Sequence, residues 1–328
     1  MQQIPYRFRA IDEELPAAKW QSLYADVWPS YRRWFLSQGN ATRPSYVKSR
    51  LMLERHMPEL VGTYDRLVEL AGGGDVAARL LALYDPPPFF AGCSQAALVR
   101  DEPILVRNYD YAPSRSEGVQ LATRLGARRV IGMSDCLWGL LDGMNDAGLA
   151  VSLTFGGRRV LGEGFGIPLV VRYLLETCTS VADCRAVLDR LPFQLAHNLT
   201  LLDAGGAVLT AHVSPDRAPV YTPLPVATNH QVVVEWPEHA ERTRTLEREA
   251  RLTCLLAAPA TTPEALLDAF LAPPLYTRAY SQGFGTLYTA AYRPASGVVD
   301  VVWPGNRWTQ SFSSFSEHVH VEQLLDAA

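Results

Sequence analysis

The pair Gly92-Cys93 lies between the proline break "DPPPFF" and two runs rich in β-forming residues, "CSQAALV" and "PILVRNYDY". A cysteine thiolate attacks an amide carbonyl to give a thioester, which water or a second nucleophile then opens. Two residues of opposite charge, Arg107 and Asp110, close the second run. The connection "RDE" suits a hairpin. A hairpin returns the end of its second strand beside the start of its first, so Cys93, Arg107 and Asp110 are expected at one mouth. The residue types alone leave a plainer reading open. A free cysteine also serves as a small buried apolar side chain, and an Arg-Asp pair at the surface is worth about 0–1 kcal/mol.

Elements that could hold such a mouth are legible on both sides of it. Residues 14–84 carry apolar and aromatic side chains three and four apart, with "LAGGG" as a stop, and read as helices. Proline then breaks the helical texture. Beyond "CSQAALV" and "PILVRNYDY", strands are expected in "LATRLGARRVIGM" and "CLWGLLDGMNDAGLAVSLTFGG", with Asn145-Asp146-Ala147-Gly148 as a turn. Two helices follow, "IPLVVRYLLETC" and "SVADCRAVLDRL", the second capped by Ser180. Strands return in "HNLTLLDAGGAVLTAHV" and "PVYTPLPVATNH", then helices in "PEHAERTRTLEREARLTCLLAA" and "TPEALLDAFLA", the latter capped by Thr262. A hairpin about Pro294-Ala295-Ser296-Gly297 and a tail complete the chain. Runs of strands interrupted by helix pairs, without strict alternation, predict an α+β protein of two antiparallel sheets covered by helices.

Composition narrows the function classes. The 328 residues are 48% hydrophobic and 20% charged, within the globular range, and the net charge of −4 offers no basic field for nucleic acid. Lys19 and Lys48 are the only lysines. The first twenty residues lack the charged head and apolar core of a secretory signal. No run approaches the ~18 apolar residues of a membrane span. Five cysteines without ligand spacing suit reduced thiols, so a cytoplasmic protein with no metal and no cofactor is expected. The expected partner is a small molecule, and oligomeric state, including a homo-oligomer, stays open.

The Gly-Cys pair, the strand and the "RNYDY" that follow resemble the N-terminal-nucleophile amide hydrolases. Within them the chain is similar to the acyl-coenzyme A:6-aminopenicillanate acyltransferase (peptidase C45-like) group, with choloylglycine hydrolases and acid ceramidases as cousins. "GMNDAGLAVSLTF", "NLTLLDAGG", "TNH" at 228–230 and "GTLYTAAYRPASG" follow in the family's order. The resemblance spans 92 to about 305 and implies a four-layer αββα sandwich formed by residues 93–328, preceded by a helical segment, 1–92. It implies self-cleavage between Gly92 and Cys93 and two chains from one precursor. The substrate would be a linear non-peptide amide or an acyl thioester. A glycine before the cut tolerates strained backbone. The freed α-amine of Cys93, with a reference pKa of about 7.7–8.0, would be its own general base.

By the same resemblance Arg107 lies near the sulfur and favours the thiolate. Asp110 holds the α-amine or the leaving amine, and Asn229 donates to the oxyanion. Thr154, His230 and Gln282 fall in the substrate or oxyanion neighbourhood. Thr154 stands where relatives carry asparagine or glutamate, which bears on a second oxyanion contact. Ser281-Gln282 replaces a Ser-Arg pair, which implies no charged contact from that segment. His197, His212 and His230 sit at strand ends and read as packing residues, since the flanks of Cys93 are not papain-like. Trp20, Tyr24, Trp28, Tyr31 and Trp34 fall at helical spacing and read as core, with a pocket wall as the alternative. A competing expectation, supported by Thr154 and Gln282, is an uncut, non-catalytic binding protein of the same fold.

Overall fold

The computed structural model describes residues 2–327. The chain opens with a strand, β1 (Gln3–Asp12), in which Tyr6, Phe8 and Ala10 point inward at every second position. Four helices follow: α1 (Ala18–Phe35), α2 (Tyr46–His56), α3 (Val61–Leu70) and α4 (Asp75–Leu81). Next come β2 (Gly92–Leu98), β3 (Ile104–Tyr111), β4 (Val119–Thr123), β5 (Val130–Asp135), β6 (Gly139–Asn145) and β7 (Leu149–Phe155). Helices α5 (Ile167–Thr177) and α6 (Val181–Leu188) separate these from β8 (His197–Asp203), β9 (Val208–Ser214), β10 (Arg217–Thr222) and β11 (Val226–Ala227). A third helical group is α7 (Pro237–Arg242), α8 (Thr245–Ala257) and α9 (Pro263–Phe270). The chain then runs through β12 (Arg278–Ala279), β13 (Phe284–Arg293), β14 (Val298–Trp303), β15 (Asn306–Ser311) and β16 (His318–Leu325).

The strands form two sheets. One has the order β10-β9-β8-β7-β6-β5-β4-β1-β16, the other β11-β2-β3-β13-β14-β15 with β12 on β13. Strands β2 and β3 of the smaller sheet pack on β7 and β8 of the larger, α5 and α6 cover the larger sheet's far side, and α8 and α9 cover the smaller sheet's. The expected α+β layering of helix, sheet, sheet and helix is the observed one. Local punctuation agrees with the reading of the sequence. Ser180 and Asp183 form a reciprocal cap on α6, Thr262 accepts from the Ala265 N–H, and the Asn145 amide oxygen accepts from the N–H groups of Ala147 and Leu149.

Three expectations are corrected. The first 92 residues are not all helical, because β1 lies inside the larger sheet between β4 and β16. The sheets are not purely antiparallel, since β1 runs parallel to β4. The tail beyond the last expected hairpin is structured: β15 extends the smaller sheet and β16 pairs with β1 over eight residues. The alternation that specifies β1 is plain in "YRFRA", but a single edge-length run does not say which sheet it joins.

Candidate active site

Strand periodicity decides which way each candidate faces. In β2 and β3 the register pairs Gly92 with Asp110, Cys93 with Tyr109 and Gln95 with Arg107. Cys93, Ala97, Leu105 and Tyr109 belong to the core between the sheets, whereas Ala96, Leu98, Ile104 and Val106 belong to the core under α8 and α9. Arg107 therefore shares the inter-sheet face with Cys93, and Asp110 turns to the helix side. The hairpin brings the three to one end of the sheet, as expected, but on two faces instead of one mouth.

On the inter-sheet face, Arg107 Nη2 lies 3.3 Å from Cys93 Sγ. The guanidinium is fixed from every side. Its Nε donates to the Leu153 carbonyl at 2.9 Å, and Nη1 bonds Tyr288 Oη at 2.9 Å and forms an ion pair with Asp142. Asp142 in turn accepts from the hydroxyls of Tyr288 and Tyr292. All these groups are fully buried, so the cation persists there because it is both paired and hydrogen-bonded. Burial pushes the Cys93 thiol above its ordinary pKa, and Arg107 partly offsets this.

On the helix face, Asp110 accepts from Arg248 Nη1 at 2.8 Å and from Thr286 Oγ1 at 2.7 Å. Burial raises its pKa, and Arg248 is the main opposing influence. Arg248 Nη2 also reaches Asn229 Oδ1 at 2.7 Å, and the same oxygen accepts from the Cys93 N–H at 3.0 Å. Asn229 Nδ2 donates to the carbonyls of Ala91 and Phe155 at 3.3 and 3.2 Å. Two donors around Oδ1 and two acceptors around Nδ2 fix the orientation of this amide. Its donor therefore faces the carbonyl one residue before Gly92.

The remaining candidates divide. Thr154 Oγ1 donates to the Thr228 carbonyl at 2.7 Å, and Asn198 Nδ2 bonds the carbonyls of Thr228 and His230 at 2.9 Å. Thr154 braces the segment that carries Asn229 and forms no hydrogen bond with Cys93. The His230 ring bonds Thr245 Oγ1 at 3.0 Å and approaches Glu249 at 3.4 Å, so it faces α8 and not the thiol. Gln282 is exposed, its carbonyl accepts from Arg242 at 2.6 Å, and it borders a cavity of about 490 Å³ whose wall includes Gly92, Asp110 and Arg248. Gly92 does not have a left-handed backbone. A Cβ there would meet Asp110 and Phe284 at 3.1 Å, so glycine provides room and not strain.

Arg248 is the principal residue that reading the sequence missed. Its signal is a charge on the buried stripe of α8, which also carries Thr245 and Leu252. The aromatic row of α1 splits between the two roles considered for it. Trp20 is buried and stacks on Tyr24, whereas Tyr31 and Trp34 line a second cavity, about 860 Å³, with Phe89, Phe90 and Tyr111. Among the described residues no three His, Cys, Asp or Glu side chains converge as a metal site requires.

Comparison with known proteins adds the following. No curated protein matches the chain. Among solved structures it is similar to penicillin V acylase from Agrobacterium tumefaciens (13% identity, 67% of this chain and 86% of that one, TM-score 0.46). It is also similar to the conjugated bile acid hydrolase of Clostridium perfringens (11%, 70% and 96%, 0.42). A third is the Caenorhabditis elegans N-acylethanolamine-hydrolyzing acid amidase ortholog (14%, 70% and 99%, 0.48). The family model described as acyl-coenzyme A:6-aminopenicillanic acid acyl-transferase matches residues 99–308, a span that includes Arg107, Asp110, Asn229 and Arg248 and begins just after Cys93. With well over half of its length matched, the chain belongs to that acyl-transferase family.

Proposed function

We propose that the protein is a cysteine N-terminal-nucleophile enzyme that cuts its own chain before Cys93 and then transfers or hydrolyses the acyl group of a linear amide. The observation that carries this reading is the placement of Cys93: its sulfur lies against the Arg107 guanidinium and its N–H on Asn229 Oδ1. In the cut, Sγ attacks the Gly92 carbonyl carbon, the Gly92–Cys93 C–N bond breaks, and the thiol proton passes to the departing nitrogen. The thioester is then opened by water. Residues 1–92 become the small chain and 93–328 the large one.

In turnover the new α-amine takes the thiol proton while sulfur attacks the substrate carbonyl, and returns it to the leaving amine. Asn229 Nδ2 is held by the Ala91 carbonyl until the cut; withdrawal of residues 91–92 frees it for the oxyanion, a contact worth about 2.7–4 kcal/mol. Arg248 keeps Asp110 ionised and Asn229 oriented. A modest apolar acyl group would lie on the aromatic side of the cavity at Phe89 and Phe90, whose wall also carries the acids Glu117 and Asp135. Water or an amine can resolve the acyl-enzyme, giving hydrolysis or transfer.

Intact mass and N-terminal sequencing of the purified protein test the reading. A fragment beginning at Cys93, absent in Cys93→Ala, is the expected result. Uncut chain in both, with no amidase activity lost on substitution, overturns it and leaves the second reading, a binding protein. That alternative is favoured by one observation: the thiol is fully buried in the uncut chain. Activity lost on substitution of an uncut chain would instead require a base other than the α-amine.

A further inference from the structure

Each sheet has two end strands, β10 and β16 in the larger and β11 and β15 in the smaller. An uncovered end strand presents a row of unpaired N–H and C=O groups, which proteins blunt by brevity, proline, bulges or charge. Three of the four ends are blunted in these ways. β10 carries Arg217 and Pro219 and slips its register between Arg217 and Val220. β11 has two residues. β15 carries Arg307, and the N–H of its last residue, Ser311, bonds the Ser314 carbonyl at 3.3 Å. The fourth, β16, is eight residues long without proline, lysine or arginine, and keeps an unbroken register with β1.

That register settles which main-chain groups β16 leaves free. The Arg9 N–H points away from β16 and donates to the Gly118 carbonyl at 2.8 Å. Its partner across the strands is Val319, which therefore also turns its N–H and C=O outward, as both members of a non-hydrogen-bonded antiparallel pair do. Asp326 has the opposite phase, and its N–H donates to the Gln2 carbonyl at 2.9 Å. Val319, Val321 and Gln323 thus present their main-chain groups to the open edge, where no described residue pairs with them. Their side chains are out in solvent as well, Val319 being 57% and Val321 49% exposed. The alternate residues turn inward. The rings of His318 and His320 pack on Trp308, and His320 bonds Glu322 at 2.8 Å.

We propose that the β16 edge pairs with the same edge of a second copy of this chain, antiparallel about a two-fold axis at Val321, joining two larger sheets into one. Phase and charge select this axis. Residues 319, 321 and 323 can bond only with one another, so a register that opposes odd to even positions is excluded. Two axes leave seven residues overlapping, 318–324 about Val321 or 319–325 about Glu322. The axis at Glu322 sets two carboxylates face to face, whereas the axis at Val321 sets His320 opposite the second copy's Glu322. It also opposes Val319 to the second copy's Gln323 and Val321 to its own copy, giving about six main-chain hydrogen bonds. Pairing about a two-fold is closed, so it stops at a dimer instead of growing into a fibre. The surface stands independently of the role proposed for Cys93.

The test is the mass in solution of the full-length Cys93→Ala protein and of the wild type, by sedimentation velocity from micromolar to submillimolar concentration. A species of twice the 36.2 kDa chain, dissociating on dilution, is expected for both. Val321→Lys opposes two ammonium groups on the axis and is expected to weaken the dimer at least about tenfold. Its urea midpoint at low concentration is expected to match the wild type, because the Val321 amide faces away from β1. Disulfide trapping checks the register in a Cys254→Ser background, which removes the exposed thiol. Val321→Cys is expected to link two chains under diamide, since Cα atoms paired on the axis lie about 5.5 Å apart. Val319→Cys, about 13 Å from its own copy in this register, is expected not to link. A monomer at every concentration, which would leave the edge to a strand of another protein, overturns the proposal. So does a dimer that Val321→Lys leaves intact, or one in which Val319→Cys links and Val321→Cys does not.

Discussion

Asn229 is saturated in the uncut chain, with two donors on its oxygen and two carbonyls on its nitrogen. Its substitution therefore removes both the acceptor for the Cys93 N–H and the donor proposed for the oxyanion. Asn229→Ala is expected to lower kcat by about 10²–10³-fold, read on protein in which intact mass shows the chain beginning at Cys93. Asp110 has Arg248 as its ion-pair partner and Thr286 as its other side-chain donor. Arg248→Met leaves a buried carboxylate with Thr286 as its remaining side-chain donor, which is expected to cost about 3–5 kcal/mol in urea unfolding. Adding Asp110→Asn to that background should recover much of the stability without recovering the cut. A variant as stable as the wild type would contradict the assignment of Arg248 as the counter-ion. Cys93, Arg107 and Asp110 were legible in the sequence because one hairpin joins them. Arg248 was not, because α8 is otherwise a charged surface helix in which one more arginine is unremarked.

At the scale of elements, the connection between α1 and the larger sheet is an acidic one. Tyr31 of α1 donates to Glu117 at 2.7 Å and to Asp135 at the end of β5 at 2.8 Å. Burial, followed by the neighbouring Glu117, raises the Asp135 pKa to about 7. An acid whose folded pKa exceeds its unfolded value of about 3.9 binds more protons in the native state between the two. Its contribution is thus full below about pH 4 and is lost as pH rises through about 7. Asp135→Asn keeps an oxygen for the Tyr31 hydroxyl and removes the charge. The wild type is therefore expected to lose about 2–4 kcal/mol relative to this variant between pH 4 and pH 8, measured as paired urea midpoints. A constant difference across that range would show that the pair does not titrate there. A second element-scale expectation concerns β7. Thr154→Val removes one of the two side-chain donors on the Thr228 carbonyl and should cost about 1 kcal/mol together with a slower cut, without altering the Arg107 contact.

For the molecule as a whole, the strand β1 changes what cleavage can do. It pairs with β16 from Gln3↔Leu325 to Ala10↔His318 and with β4 from Arg9↔Val119 to Asp12↔Ala122. A cut at Gly92 would therefore leave the small chain threaded through the larger sheet by main-chain hydrogen bonds on both sides. The two fragments are expected to co-elute in size-exclusion chromatography under native conditions and to separate only in denaturant. Dissociation in buffer alone would refute this. Deleting residues 2–12 uncovers the edges of β4 and β16 and removes Tyr6 and Phe8 from the core, so the truncated chain is expected to aggregate.

The sequence by itself determined most of the elements between residue 14 and the last expected hairpin, though not β1 or β16, and the order of the candidate nucleophile, cation and acid. Side-chain period, proline breaks and helix caps act over a few residues, and the hairpin carrying Cys93, Arg107 and Asp110 is a local unit. Only the tertiary structure decided what surrounds that hairpin. Asn229 meets Cys93 across 136 residues of chain, and Arg248 meets Asp110 across 138. Those approaches follow from the order of strands in two sheets and from the helices laid on them, which cooperative burial of the whole core selects and no local pattern encodes.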